Sequence, residues 1–473
     1  MPGEAPFRRR ALTGAAARKL AEITAPDRVI TDPAALDRYA RDESPGPRLP
    51  PDAAVLVRGA GEAAAVLRLA RDERLPVTPR GLGTGLAGGA IAAAGGILLS
   101  TELMNEPPAV DPANLVVTAR PGVTTDRVAR AAAGHGLCYP VDPASLEDCS
   151  IGGNVATNAG GARAFKYGVT AQYLRGLEAV TPAGQVIRYG GKLHKNVTGY
   201  DLCAALAGSE GTLAVITEVT LRLVPQPRVR VDLLIPFDRI GQGVELVLRV
   251  VRDARLLPAV VEFIERGGIR ACNRVLGSDL PFPEAEVQVL IELEGNDREA
   301  VLADVVRLGE LAMDLGASEP LVADNPTDQA RIWRARRELA KTLKKVYSEV
   351  AAEDVVVPLA ELPATVDRIA ALARRHAVTV IPFGHVGDGN IHVDICRDGD
   401  RETWLRARRA LTAELIDFVL GRGGQVTAEH GIGMEKLGWM KKAVGPAELE
   451  VMRALKRAWD PDNLLNPGKV LPD

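Results

Sequence analysis

Cysteine is scarce in this 473-residue chain, and its five copies stand far apart without a C-x-x-C pair. A disulfide framework, or an iron–sulfur cluster held by this chain alone, needs grouped thiols, so the sequence excludes both. We expect reduced thiols and a cytoplasmic protein. If electrons leave through iron–sulfur clusters, another subunit carries them.

An excess of one charge and long apolar runs are also missing. The chain has 58 basic and 61 acidic residues, which argues against a nucleic-acid partner. No run of 18 apolar residues occurs, so no transmembrane span is expected. The apolar stretch after Arg8-Arg9-Arg10 is too short for an export signal, and an amphipathic helix is expected there. Attachment to the inner face of a membrane through a partner is left open.

Glycine, in contrast, is concentrated in loops that suit phosphate binding. Residues 75–89 read LPVTPRGLGTGLAGG, an apolar strand that runs into five glycines. Glycines let backbone amides converge on an anion, which suits the pyrophosphate of a dinucleotide. The candidate cofactor contacts in this segment are Pro79, Arg80, Gly81, Gly83, Thr84 and Gly85.

The spacing Gly83-x-Gly85-x-x-Gly88 matches the NAD fingerprint, but that fingerprint needs a helix directly after the glycines. Here Gly95-Gly96 and an apolar strand follow within a few residues, too soon for a crossover helix. The sequence therefore favours loop amides that bind phosphate without a helix dipole. A glycine-rich turn that binds nothing is the plain alternative.

A second glycine-rich block identifies the family. Residues 142–169 read DPASLEDCSIGGNVATNAGGARAFKYGV, and residues 208–223 read GSEGTLAVITEVTLRL. With the first loop, these motifs resemble the FAD-linked oxidase superfamily of the vanillyl-alcohol oxidase type, in particular the glycolate oxidase flavin subunit and the D-lactate and D-2-hydroxyacid dehydrogenases. The resemblance implies non-covalent FAD, contacted also by Gly152, Gly153, Asn154, Asn158, Gly160, Gly161, Glu210 and Gly211.

The resemblance implies an α+β fold: a two-subdomain FAD-binding domain and a smaller α/β cap domain with a largely antiparallel sheet. We expect a helical lead-in over 1–50, the FAD-binding domain over 51–227, the cap over 228–425 and a returning segment over 426–473. Hydrophobic patterns predict a hairpin over 174–189 and three cap strands over 231–237, 260–264 and 287–295.

Three of the six histidines fall in two motifs, FGHVGDGNIHVDI (383–395) and TAEHGIGMEK (427–436). His385 is expected to end a strand and His392 to start the next, with Glu429 and His430 at a later strand end. Two imidazoles and a carboxylate suit Zn²⁺, Mn²⁺ or Fe²⁺, and the resemblance implies that His385, His392 and Glu429 bind the ion. The alternatives are histidines that hydrogen-bond the glycine turn or contact substrate directly.

Two further residues are candidates for chemistry. His430 is a candidate general base because its ordinary pKa lies near neutrality; an orienting role is the alternative. Arg336 in Trp333-x-x-Arg336 resembles the family's arginine that contacts a substrate carboxylate, which a guanidinium binds through two hydrogen bonds. The remaining charge of this helix is expected to face solvent.

These features predict an FAD-dependent dehydrogenase that oxidises a D-2-hydroxy acid of the glycolate or D-lactate type by hydride transfer to flavin N5. A quinone, a flavoprotein or an iron–sulfur subunit would accept the electrons, and a homodimer is left open. The alternatives are a flavin-dependent transferase of the alkyl-dihydroxyacetonephosphate synthase type, whose histidine run is absent here, a cofactor-free metal hydrolase, and a flavin-holding subunit that is inactive outside a complex.

Overall fold

The computed structural model describes residues 11–472, which divide into two compact units along an interleaved chain. The first unit contains the described residues of Met1–Ala159 and Glu429–Asp473, together with Val169–Gln226. The second unit contains Gly160–Gly168 and Pro227–Ala428. Arg8-Arg9-Arg10, where an amphipathic helix was expected, lie outside the described residues.

Strands and helices are labelled in chain order. The strands of the described chain are β1 (Val29–Ile30), β2 (Ala53–Leu56), β3 (Val77–Arg80), β4 (Ile97–Ser100), β5 (Ala109–Asp111), β6 (Val116–Ala119), β7 (Leu137–Cys138), β8 (Leu174–Val180), β9 (Val186–Gly190), β10 (Val215–Arg222), β11 (Val224–Pro225), β12 (Val229–Phe237), β13 (Val260–Glu265), β14 (Val287–Gly295), β15 (Leu321–Ala323), β16 (Val350–Val356), β17 (Thr379–Gly384) and β18 (Asn390–Cys396). The helices are α1 (Gly14–Ile23), α2 (Pro33–Leu36), α3 (Ala60–Glu73), α4 (Thr125–Ala133), α5 (Ile151–Thr157), α6 (Ala164–Tyr167), α7 (Thr170–Tyr173), α8 (Leu202–Leu206), α9 (Ile240–Arg252), α10 (Arg266–Leu276), α11 (Arg298–Asp314), α12 (Pro326–Val346), α13 (Leu362–His376), α14 (Arg401–Gly421), α15 (Met440–Ala443) and α16 (Pro446–Trp459).

The first unit contains two larger sheets. One has the order β1-β2-β4-β3, in which β2, β4 and β3 run parallel. All four residues of β4 are buried, as expected for a parallel strand covered on both faces. The other sheet is antiparallel with the order β5-β6-β10-β8-β9, and β8 and β9 form the predicted hairpin. Strands β7 and β11 make a small separate ladder.

The second unit is built on one antiparallel sheet with the order β15-β12-β14-β13-β17-β18-β16. The three predicted cap strands appear as β12, β13 and β14. Its core includes Ile264, Trp333 and Leu339. Within this apolar sheet several strands also carry buried charged side chains, which is where the candidate chemistry lies.

The motif IGGNVAT forms the short helix α5, which Ser150 caps by accepting from the Gly153 amide. One local expectation was wrong. Glu429 and His430 lie in bends rather than at a strand end; the nearest pairing is one bridge between Gln425 and Val356. Glycines with positive φ at 431 and 433 explain why no strand continues there.

Among the described helices, none has the length and apolar character needed to span a bilayer.

Candidate functional site

The first glycine loop joins two adjacent parallel strands without a helix, as the sequence predicts. Pro79 and Arg80 end β3, residues 81–96 form the loop, and β4 follows beside β3. Within the described chain, the amides of residues 82–86 donate no hydrogen bond to any protein group. Consecutive unpaired donors on a partly exposed loop form a site for an anion. The loop therefore fits a pyrophosphate.

The Arg80 side chain supports this loop from inside. Its Nη1 donates to the carbonyls of Arg41 at 2.8 Å and Ala90 at 3.3 Å. Gly83 has φ +77°, and a Cβ there would overlap the Arg80 guanidinium. Arg80 thus holds the loop, and the amides around Gly83, Thr84 and Gly85 are left as the phosphate donors.

The carboxyl-terminal tail fastens the end of the same loop. Lys469 Nζ donates to the carbonyls of Gly89 at 2.8 Å and Ile91 at 2.6 Å and to Asn466 Oδ1 at 2.9 Å. Burial lowers the pKa of Lys469 to about 7. The carboxyl-terminal segment therefore helps to hold the first glycine loop in place.

The second glycine block packs directly against the first. A Cβ at Gly81 would overlap Ser150 Oγ, and a Cβ at Gly152 would overlap Pro121. Gly153 donates its amide to Ser150 Oγ at 3.3 Å. Glycine at these positions permits a close approach of backbone that any side chain would prevent.

The two asparagines of this block serve the protein's own backbone and side chains. Asn154 Nδ2 donates to Thr125 Oγ1 at 2.5 Å, and both residues are buried. Asn158 ends α5 with φ 53° and accepts from the Ala171 amide at 2.8 Å. These bonds fix the shape of the block.

Glu210 and Gly211 adjoin the returning segment. The Glu210 carboxylate accepts from the amides of Ile432 and Gly433, both at 2.8 Å. Burial raises the pKa of Glu210, and these two amides oppose that shift. Gly211, with φ +67°, lies beside Pro79. The Glu210 side chain thus holds the segment that carries His430.

Gly160 and Gly161 begin a short stretch that belongs to the second unit. Arg163 Nη2 donates to both oxygens of Glu292, at 2.7 and 3.0 Å, and Lys166 Nζ donates to Glu294 at 2.9 Å. A Cβ on Gly387 would lie only 2.9 Å from Cγ of the Phe165 ring. The tail of the second glycine motif therefore packs on the turn between His385 and His392.

His385 and His392 lie close together in the second unit. Their ring centroids are 5.2 Å apart, and the rings are nearly perpendicular at 83°. His385 directly follows β17 and His392 lies in β18; both are buried. Glycine-rich turn residues between them bring the two imidazoles to one place.

A carboxylate stands behind each of these imidazoles. His385 Nδ1 contacts Glu262 Oε1, and His392 Nδ1 lies 3.9 Å from Asp354 Oδ1. The second oxygen of Asp354 accepts from Thr427 Oγ1 at 2.7 Å and the Ala428 amide at 3.0 Å. A carboxylate behind a histidine is the usual support of a metal-binding imidazole, so the donor set fits a divalent ion.

Arg336 lies on the buried face of α12. Its Nε donates to Glu262 Oε2 at 2.5 Å, while its buried Nη2 has no partner among the described residues. Arg334 and Arg337 on the same helix are exposed, as the sequence predicts. An orphaned guanidinium nitrogen is a ready donor for an incoming carboxylate.

Glu429 and His430 begin the returning segment of the first unit. His430 Nε2 lies 3.9 Å from Glu429 Oε1. Glu429 directly follows Ala428, whose amide is bound to Asp354.

Sequence reasoning missed Glu262 and Asp354. Glu262 is a lone acid within the apolar run VVEFI, Asp354 follows Glu353 at the start of the apolar run in EDVVVP, and both are fully buried. A charged residue inside a buried strand must be paired, and this signal would have flagged both.

Two family models match the chain. The model described as "FAD linked oxidases, C-terminal domain" matches residues 226–470, and the one described as "FAD binding domain" matches residues 51–190.

Curated relatives match over nearly the whole chain. Glycolate oxidase subunit GlcD of Bacillus subtilis is 34% identical and covers 96% of both chains. D-lactate dehydrogenase of Archaeoglobus fulgidus is 38% identical over 92% of this chain and 96% of that protein. D-2-hydroxyglutarate dehydrogenase of Xanthomonas citri is 36% identical over 94% of each.

Solved structures share the fold at low identity. p-Cresol methylhydroxylase with substrate bound aligns with a TM-score of 0.79 at 18% identity, over 98% of each chain. Alkyldihydroxyacetonephosphate synthase aligns with 0.76 at 18% identity, over 99% of this chain and 88% of the other. The predicted fold class and the predicted family are both confirmed: this chain belongs to the FAD-linked oxidases.

Proposed function

We propose that the protein is an FAD-dependent dehydrogenase that oxidises a small D-2-hydroxy acid to the 2-oxo acid and passes the electrons to an acceptor other than NAD. The observation that carries the proposal is Arg336, a buried guanidinium whose Nη2 has no partner among the described residues and which shares one carboxylate with His385. Relatives named for glycolate, D-lactate and D-2-hydroxyglutarate support the substrate class.

The amides of residues 82–86, which donate to no group in the described chain, would hold the pyrophosphate of non-covalent FAD, and the close-packed glycines 81, 152 and 153 would keep the adjoining backbone free of side chains. When bound, FAD supplies a two-electron acceptor for the hydrogen on the substrate Cα. Gly160 and Gly161 would contact it from the stretch that packs on the turn between the two histidines.

His385 and His392 would hold a divalent ion, Zn²⁺, Mn²⁺ or Fe²⁺, with Glu429 as the third ligand assigned by the resemblance. Such an ion lowers the pKa of the substrate hydroxyl and orients it. The acids near the two imidazoles support this assignment: Glu262 contacts Nδ1 of His385, and Asp354 lies 3.9 Å from Nδ1 of His392.

Arg336 would bind the substrate carboxylate through its Nη edge, which orients the Cα hydrogen. His430 would take the hydroxyl proton as general base. The resemblance to longer D-2-hydroxyglutarate enzymes implies a lysine before a strand as the anchor of a second carboxylate, and this chain has Ala352, followed by EDVVVP, at that place. A monocarboxylate such as glycolate or D-lactate is therefore the proposed substrate.

The electrons would pass to a quinone, a flavoprotein or a separate iron–sulfur subunit. The relative named as a glycolate oxidase subunit supports a partner chain. Through that partner a cytoplasmic protein would reach the inner face of a membrane, and a homodimer fits the proposal equally.

The test is anaerobic bleaching of the purified yellow protein. D-lactate or glycolate should bleach the flavin without NAD, and L-lactate should not. His430→Ala should abolish bleaching with flavin content unchanged, whereas His135→Ala, which alters an exposed histidine, should behave as wild type. A folded protein without flavin, or one whose flavin no D-2-hydroxy acid reduces, overturns the proposal.

A further inference from the structure

Glu262 is a carboxylate in the middle of an apolar strand. It pairs with Leu290 across β13 and β14, and none of its surface is exposed. Its neighbours Val261 and Phe263 are buried as well. An ionised carboxylate in such surroundings is costly unless charged partners satisfy it, so its partners indicate its role.

Each oxygen of Glu262 has its own partner. Oε2 accepts from Arg336 Nε at 2.5 Å, and Oε1 contacts His385 Nδ1. The carboxylate thus bridges two groups from different elements, α12 and the turn after β17.

The bridge determines which atoms of its partners face a ligand. Because Nδ1 of His385 faces the carboxylate, Nε2 is the ring nitrogen on the side away from Glu262. Because Nε of Arg336 is held, the guanidinium presents its Nη edge, where Nη2 is unpaired among the described residues. Arg336 also lies over the Phe383 ring, with 5.2 Å between Cζ and the ring centroid.

We propose that Glu262 is a positioning residue that holds Arg336 and His385 at a fixed spacing. The carboxylate of a 2-hydroxy acid at Arg336 and a divalent ion at His385, beside the substrate hydroxyl, would then be oriented together. This inference rests on the proposed function. It adds that the arginine and the histidine act as one unit through a residue that touches neither substrate nor flavin.

A purely structural ion pair is the competing explanation. In that case Glu262→Asp would lower the free energy of unfolding but leave KM and Zn²⁺ affinity of the folded protein at their wild-type values. A positioning role requires both oxygens to reach their partners at once. A side chain shorter by one methylene cannot do this.

The experiment compares Glu262→Gln and Glu262→Asp with Glu353→Gln. Glu353 is a matched control: it is buried on β16 and accepts from Thr412 Oγ1 at 3.1 Å, away from Arg336 and His385. Three quantities are measured on the flavin-loaded proteins: kcat and KM for the D-2-hydroxy acid that best bleaches wild type, and Zn²⁺ bound per chain at fixed free Zn²⁺.

Both Glu262 variants should raise KM at least tenfold and weaken Zn²⁺ binding about 10- to 100-fold, the usual cost of losing a partner behind a metal-binding histidine. Flavin content should stay at the wild-type level, and Glu353→Gln should change none of the three quantities. If Glu262→Gln does not fold, Glu262→Asp carries the test alone.

Wild-type KM and Zn²⁺ affinity in Glu262→Asp would overturn the inference and leave the proposed function standing. If wild type itself is not reduced by any D-2-hydroxy acid, the proposed function fails first. The two failures are therefore distinguishable.

Discussion

Replacing Glu210 should loosen the segment that carries His430. Two backbone amides, those of Ile432 and Gly433, donate to its carboxylate at 2.8 Å. His430 lies two residues before the first of them. Glu210→Ala removes both acceptors at once.

The size of the effect follows from these two bonds. A hydrogen bond to a charged group contributes about 1.5–3 kcal/mol, so two contribute about 3–6 kcal/mol. Burial raises the pKa of Glu210, which shows that its charge is held at a cost, so the net loss should lie near the lower end. A loss of about 3 kcal/mol corresponds to roughly a hundredfold in the opening equilibrium.

Hydrogen exchange of a peptide covering residues 429–436 measures that equilibrium. Exchange of the two amides should be about a hundredfold faster in Glu210→Ala, and kcat should fall more than KM changes. Glu218→Ala is the matched control, because Glu218 lies on nearby β10 at an accessible position. Unchanged protection of residues 432 and 433 in Glu210→Ala would refute the reasoning.

Gly81→Ala should lower flavin affinity at least tenfold, measured by flavin released on dilution, because its Cβ would overlap Ser150 Oγ; full retention would contradict the loop assignment. Burial, together with Glu292, raises the pKa of Asp232 to about 7, against about 3.9 in an unfolded chain, so its ionisation increasingly destabilises the fold as pH rises from about 4 to 7. In urea unfolding, Asp232→Asn should have the same free energy of unfolding as wild type near pH 4 and a higher one at pH 8, by at most about 4 kcal/mol. Equal stability of the two proteins at both pH values would argue against a raised pKa of Asp232. His392→Asn should lose most of its bound metal with flavin retained, and metal content equal to wild type would remove His392 from the ligand set.

Much of the fold was predictable because its signals are local. The hairpin over 174–189 and strands β12, β13 and β14 follow from runs of apolar and β-branched residues with clear turns. The helix-free loop after β3 follows from glycine spacing. The family followed from motif residues that lie close together in the sequence.

The site was less predictable because its supports are distant in sequence. Glu262 lies 74 residues from Arg336 and 123 from His385. The helix formed by IGGNVAT was also hard to predict, because its two glycines and its β-branched residues have low helix propensity. There the Ser150 cap and burial of Ile151 and Val155 outweigh the local preference.

The short stretch of residues 160–168 has a consequence for exchanging parts between relatives. It interrupts the first unit and brings Arg163 and Lys166 to the acids of β14. A chimera that transplants only residues 227–428 would leave Glu292 and Glu294 without these cations. Recombination partners should therefore inherit both segments from one parent.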